Sequence, residues 1–143
     1  MIVYLLSSQS LLDMLADEPA MKAWKGTVQA SSIKLSSVSI GQALYEIEQQ
    51  QDANLRAELY DALDKTIRSL QIYEGIVPFD ANAAMAWSKL MHMKLLHKDG
   101  SNPIEVSSES RMVVATALDK GFTLVDASRP FHSTVQGLKV KSP

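Results

Sequence analysis

The chain has no cysteine in its 143 residues, so disulfides, zinc–thiolate and iron–sulfur centres, and a thiol nucleophile are excluded. Glycine is scarce: the 6 glycines stand singly, and no Gly-rich loop is present to cradle a phosphate or to form a nucleophile elbow. Basic residues are not in excess, with 14 Lys and Arg against 16 Asp and Glu, so overall charge offers no general attraction to a nucleic-acid backbone. No apolar run is long enough to cross a bilayer. The opening run, residues 1–6, has no basic residue ahead of it and breaks into serines too early for a secretory signal. A protein neither exported nor membrane-embedded is expected, with the cytosol as its compartment.

What is present is ordinary for a globular domain, 46% hydrophobic and 21% charged residues. The length suits one domain, residues 1–143, able to bury about two thirds of its unfolded surface. The short continuous apolar run at residues 2–6 predicts a central parallel strand covered on both faces. Leu11, Leu12, Met14 and Leu15 predict a first helix, and Pro19, suited to a first helical turn, opens a second that carries Met21, Trp24 and Val28. Residues 33–38 read as a second strand. Ser39, Ile40, Gly41 and Gln42 match a capping box at the head of the next helix.

A helical period at Leu55, Leu59, Leu63, Ile67 and Leu70 spans residues 55–72, with Gly75 as its stop. Residues 76–79 predict a third strand, and Asp80 an N-cap for a helix carrying Ala83, Ala84, Trp87, Leu90, Met91 and Leu95. Residues 99–103 are the clearest loop. Ser107 or Ser108 then caps a helix through Met112, Val113, Ala117 and Leu118 that ends at Gly121. Residues 122–125 complete the strands, with a candidate edge strand at 138–140. Strands separated by helices imply an α/β fold: a three-layer α/β/α domain with a short central parallel sheet. Ligands of such sheets bind outside the carboxyl ends of the strands, where strand order reverses. That rule singles out the residues from Ser7 to Ser10, the helix start near Ser39, and the segment after Val125.

Many metal-dependent enzymes place a carboxylate at the first of these turns; here stand Ser7, Ser8, Gln9 and Ser10. Elsewhere, His92 and His97 are five apart and do not share a helix face, and His132 stands alone, so surface or packing roles are expected for all three. Trp24 and Trp87 fall on apolar helix faces and read as core. Met85, Met91, Met93 and Met112 read as core filler that also suits an adaptable partner surface.

The order of these pieces resembles the PIN domain family, and within it the VapC-type toxins of bacterial toxin–antitoxin pairs. The stretch "VYLLSSQSLLDML" is similar to the family's opening of strand, Asp, Thr, Asn and helix, and "LSSVSIGQAL" to its strand, Thr-capped helix and Glu. "IVPFDANAAMAWSKL" is close to its mid-chain segment, and "RMVVATALDKGFTLVDASRPF" to its closing pattern of Asp-helix, Gly, strand, Asn or Asp, and Phe. Phe79, Asp80, Ala84, Trp87, Thr116, Gly121 and Phe131 fall in order with near-family spacing, and the likeness covers essentially the whole chain.

Active members of that family hold Mg²⁺ or Mn²⁺ on three or four carboxylates, and the ion activates water at a scissile phosphate. Position by position, the resemblance puts those carboxylates at Ser7, Gln42, Ser110 and Ser128, with the supporting Asn at Gln9, and every one is neutral here. Neutral hydroxyls and amides do not supply the charge a hard divalent ion requires. The resemblance therefore implies a domain that has lost metal-dependent ribonuclease activity, needs no cofactor, and persists as a homodimer or as a binding module for an antitoxin-like partner. A competing expectation is a displaced metal site built on Glu46, Glu109 and Asp126. Against it, Glu109 suits a helix N-terminus through the dipole, and Glu46 and Asp13 suit solvated faces. A further alternative is RNA binding without cleavage, with Arg111 and Arg129 beside the neutral pocket as phosphate contacts.

Overall fold

The computed structural model describes residues 1–97, 104–126 and 130–143. In chain order the elements are β1 (Tyr4–Leu6), α1 (Ser8–Leu15), α2 (Pro19–Lys25), β2 (Ile33–Ser36), α3 (Ser37–Glu48), α4 (Ala53–Gln71) and β3 (Ile76–Val77), followed by α5 (Ala81–Met91), β4 (Leu96–His97), β5 (Ile104–Glu105), α6 (Ser108–Lys120), β6 (Thr123–Val125) and β7 (Lys139–Lys141). Single 3₁₀ turns occupy Ala30–Ser32 and Pro130–Thr134. Five strands make a parallel sheet in the order β3-β2-β1-β6-β7, and β4 and β5 form a separate antiparallel ribbon. The predicted parallel three-layer α/β/α arrangement is the one observed. The predicted loop at 99–103 lies outside the described residues.

The period of two along each strand divides the core between the sheet's two faces. On β1, Leu6 packs with Leu35 of β2 and with Leu11, Trp24, Ala43, Ile47 and Leu63 on the inner faces of α1 to α4. Leu5 points the other way, into Leu90, Val113, Val114 and Leu124 beneath α5 and α6. β6 repeats the division, with Leu124 on the second face and Val125 on the first. Burial on both faces is why these strands read as continuous apolar runs. Trp24 meets Tyr4 edge-on at 5.1 Å, and the half-buried Trp87 donates its indole N–H to the Ser108 carbonyl at 3.3 Å. Both tryptophans are used in packing. Among the described residues, no helix is long and apolar enough to cross a membrane.

Most helix starts follow the sequence signals, but the helices expected to carry Val28 and Leu95 end earlier, at Lys25 and Met91, and one start is corrected. Pro19 opens α2, Asp80 caps α5 by accepting from the Ala83 N–H, Ser107 caps α6 by accepting from the Ser110 N–H, and Gly121 takes the left-handed conformation (φ 71°) after α6. The capping box expected at Ser39 is not the start of α3. Strand β2 ends earlier, and Ser36 caps the helix by accepting from the Val38 N–H at 3.1 Å. Ser39 is fully buried one turn later, where its hydroxyl donates to the Leu6 carbonyl at 3.1 Å and fastens α3 to β1. Gln42 is thereby released from capping.

The second correction concerns Arg111, expected as a phosphate contact beside the pocket. It is 2% exposed and points into the layer of α5 and α6. Its guanidinium donates to the carbonyls of Val106 (3.0 Å), Leu90 (2.6 Å) and Met93 (2.7 Å), and pairs with Glu105 at 3.1 Å. A planar fork of five donors suits this place, because it gathers carbonyls from the end of α5, the segment after it and the residue after β5, and so holds the β4–β5 ribbon to α6. Glu105 is largely exposed, so the carbonyl bonds carry most of the stabilisation. Arg111→Ala should lower unfolding free energy by about 3 kcal/mol or more, because it strands buried acceptors and opens a cavity; equilibrium denaturation measures this.

Asp80 also pairs with Lys120 on α6 at 2.6 Å, and Lys120 pairs with Asp119 at 3.1 Å. The Lys120 ammonium, then the Ala83 N–H, hold the Asp80 carboxyl below its ordinary 3.8, and the two carboxylates raise Lys120 above its ordinary 10.5. A depressed carboxyl stabilises the fold above its unfolded value and ceases to do so as pH falls through its lower folded value. The Asp80 contribution is therefore whole above about pH 3.8 and lost below it. Asp80→Asn, which keeps the cap oxygen, should flatten the acid branch of a stability–pH curve and leave the neutral branch parallel to the parent.

Candidate functional site

The sheet order reverses at β1, which lies between β2 and β6, and the crevice opens beyond the carboxyl ends of these strands. Three local features build its floor. Ser7, directly after β1, sits in extended backbone (φ −67°, ψ 165°) and caps α1 by accepting from the Ser10 N–H at 3.1 Å. Its own N–H donates to the Val125 carbonyl at 3.0 Å, continuing the β1–β6 ladder by one residue. Its hydroxyl then donates to Asp126 Oδ1 at 2.8 Å.

Asp126 is 5% exposed. Its backbone N–H donates to the Lys141 carbonyl at 3.1 Å, which ties it to β7. Its second oxygen lies 3.2 Å from His132 Nε2, out of line for a hydrogen bond. His132 is buried on the 3₁₀ turn after β6, next to Phe131, whose ring meets His97 edge-on at 5.3 Å.

These side chains surround a cavity of about 60 Å³ lined by Ser7, Ser8, Gln9, Gln42, His97, Ser110 and Asp126, with Val113, Val114, Leu124 and Phe131 as an apolar wall. At roughly 10–15 Å³ per water, it has room for a few waters. Gln42 Oε1 is buried and accepts no hydrogen bond. Ser110 accepts from the Ser107 hydroxyl at 3.0 Å, and Gln9 donates to Asp13 at 2.9 Å along α1.

Four of the five positions singled out in the sequence, Ser7, Gln9, Gln42 and Ser110, therefore meet at one cavity. Ser128 and Arg129 lie outside the described residues. The three acids are divided: Asp126 lines this cavity, while Glu46 and Glu109, both exposed, line an open groove of about 550 Å³ with Val38, Gly41 and Tyr45. Ser8 and Gln42 border both spaces. Glu109 stands in the first turn of α6, the favourable end of the helix dipole. His97 and His132, expected in surface or packing roles, both pack against Phe131, and the structure adds that His97 lines the cavity and that His132 lies 3.2 Å from Asp126. No spacing could have linked them, since the β4–β5 ribbon and the turn after β6 meet only in the folded chain.

The donor set is a poor match for a divalent metal. Among the described residues lining the cavity, one carboxylate stands with hydroxyls and amides, and no three acidic or histidine side chains are grouped to hold a metal ion. Mg²⁺ and Mn²⁺ favour several anionic oxygens in near-octahedral array, which the described residues do not supply. Ser7→Ala removes both a helix cap and the partner of a buried carboxylate. It should cost about 1–3 kcal/mol in chemical denaturation, whereas Ser8→Ala, whose hydroxyl caps nothing, should be close to neutral.

No family model and no curated protein matches the sequence. Solved structures match the fold. VapBC2 from Rickettsia felis, bound to a DNA fragment from its promoter, superposes with a TM-score of 0.73 at 13% identity over 99% of both chains. FitAcB from Neisseria gonorrhoeae gives 0.72 at 18% identity over 96% of each chain. VapBC-5 from Mycobacterium tuberculosis, described as a member of the VapBC family of toxin–antitoxin systems, gives 0.64 at 11% identity, covering 99% of this chain and 98% of that one. The chain thus has the PIN-like three-layer α/β/α fold, in the form that occurs in VapBC toxin–antitoxin complexes.

Proposed function

We propose that this chain is a VapC-like domain that binds a protein partner and no longer cleaves RNA. The observation carrying this reading is the state of the crevice. At three of the positions where the resemblance calls for carboxylates stand Ser7, Gln42 and Ser110, and both oxygens of the remaining acid, Asp126, face protein groups, Ser7 Oγ at 2.8 Å and His132 Nε2 at 3.2 Å. A second negative charge at position 7 would lie against Asp126 and repel it, so a neutral serine suits the buried acid.

The fold around this crevice is intact, which is what a retained binding role needs. The groove past Ser8 and Gln42 combines apolar and aromatic surface from Val38 and Tyr45 with two acids, Glu46 and Glu109. That chemistry suits an antitoxin-like segment carrying apolar and basic side chains. Met85, Met91 and Ile104, all exposed, supply adaptable apolar surface for a second copy of the chain in a homodimer.

The test is calorimetric titration with Mn²⁺ at neutral pH, alongside thermal unfolding with and without the ion, since a ligand of the native state raises stability by mass action. No binding and no shift are expected. Micromolar binding with a raised midpoint would sink the reading. The converse experiment rebuilds the charge: Ser7→Asp, Gln42→Glu and Ser110→Asp combined should destabilise the protein without metal, through like-charge repulsion around Asp126, and recover stability when Mn²⁺ is added.

A further inference from the structure

We propose that a pocket at the amino end of the sheet binds a small amphipathic carboxylate, with its alkyl body on Met14, Ile33 and Leu70 and its head at Lys25 and Lys65. The pocket encloses about 250 Å³ and shares no lining residue with the crevice or with the groove beside it. Ile33 opens β2, so the pocket lies at the end of the sheet opposite the crevice, and the inference is independent of the chemistry there. Lys25 closes α2. Lys65, Ser69 and Leu70 come from α4, where positions 65 and 69 are neighbours one turn apart.

The floor is preformed. Ile33 and Leu70 are buried members of the core layer under α1 to α4, and Met14 is half-buried against it. Leu70 is held in place by Gly75, whose N–H donates to the Leu70 carbonyl at 2.8 Å and whose Cβ, if it had one, would stand 2.9 Å from Leu70 Cβ. Water over such a floor is favourably replaced by an alkyl group. The rim carries the charge. Among the described residues, two lysines and no carboxylate line the pocket, in a chain where acids outnumber bases 16 to 14. Lys25 has no acidic partner among the described residues. Lys65 pairs with Asp61 at 2.8 Å, but both are largely exposed, so that pair is weak, and the ammonium keeps two further donors. Thr66 and Ser69 add hydroxyls on the same stretch of α4. An apolar floor under a cationic rim favours an anionic head and disfavours the same chain with a cationic one. The volume is below the roughly 300–1,000 Å³ of drug-sized sites, which suits a short chain.

Calorimetric titration with octanoate, with methyl NMR of the same protein, reads the site directly. Octanoate should bind with a Kd of about 1 mM or tighter and shift the methyl resonances of Met14, Ile33 and Leu70, whereas octylammonium should do neither. The double variant Lys25→Gln, Lys65→Gln should bind octanoate roughly fivefold more weakly or worse, as loss of two exposed ion pairs implies. Asp61→Asn, which releases Lys65, should bind it more tightly. All three positions are exposed, so these variants are expected to fold as the parent does. No heat and no methyl shift at about ten times that Kd would overturn the site. Equal binding of octylammonium, methyl shifts confined to other residues, or an affinity that neither the lysine nor the Asp61 substitutions alter would overturn it as well. Octyl phosphate decides the head group: tighter binding than octanoate with the same methyl shifts would assign the pocket to phosphate monoesters and overturn the carboxylate.

Discussion

The hydrogen bond from the Ser7 hydroxyl to Asp126 exists only because residue 7 carries no charge. It joins the ends of β1 and β6, 119 residues apart in sequence, at the place where strand order reverses. The same hydroxyl caps α1, and the same residue's N–H extends the sheet ladder to Val125. One small neutral side chain thereby sets the start of a helix, the closure of the sheet and the state of the buried acid. Two carboxylates at this spacing would repel each other unless a multivalent cation lay between them.

The rest of the molecule holds that junction rigid. Leu5 and Leu6 are both fully buried, on opposite faces of β1, so β1 cannot shift without disturbing two layers of packing. Ser39 bonds α3 to the Leu6 carbonyl, which brings Gln42, about one turn further along, to the crevice. On the other side Arg111 fastens α6 to α5 and to the ribbon that carries His97, and so places Ser110 and His97 on the opposing wall. Ser8, Gln9, Gln42 and Ser110 are carried by helices whose apolar faces are buried elsewhere.

Such an arrangement makes the fold independent of acids at its crevice. Apolar packing and helix caps stabilise the layers, and neither depends on acids at the strand ends. Serine and glutamine at the crevice bring no mutual repulsion to a low-dielectric site, so the fold needs no compensating ion there. Likeness to solved structures at 11–18% identity with near-complete coverage is consistent with this separation of scaffold from site.

Much of the architecture was legible in the sequence, because its signals are local. Apolar runs of strand length, the helical period from Leu55 to Leu70, Pro19, Asp80, Ser107 and Gly121 each act within a few residues of themselves. The capping box at Ser39 misled because a serine three residues earlier had the same capping chemistry and the strand stopped there. The meeting of Ser7, Gln42 and Ser110 at the crevice was anticipated through the family resemblance, not through local spacing. What only the tertiary structure decided was direction and partnership. Whether Arg111 turned to the pocket or into the core, which acid entered the cavity and which stayed on the groove, and that His132 came to stand behind Asp126 all depend on contacts between segments far apart in the chain. Local spacing carries no record of such contacts, which arise only when packing of the two core layers brings the strand ends together.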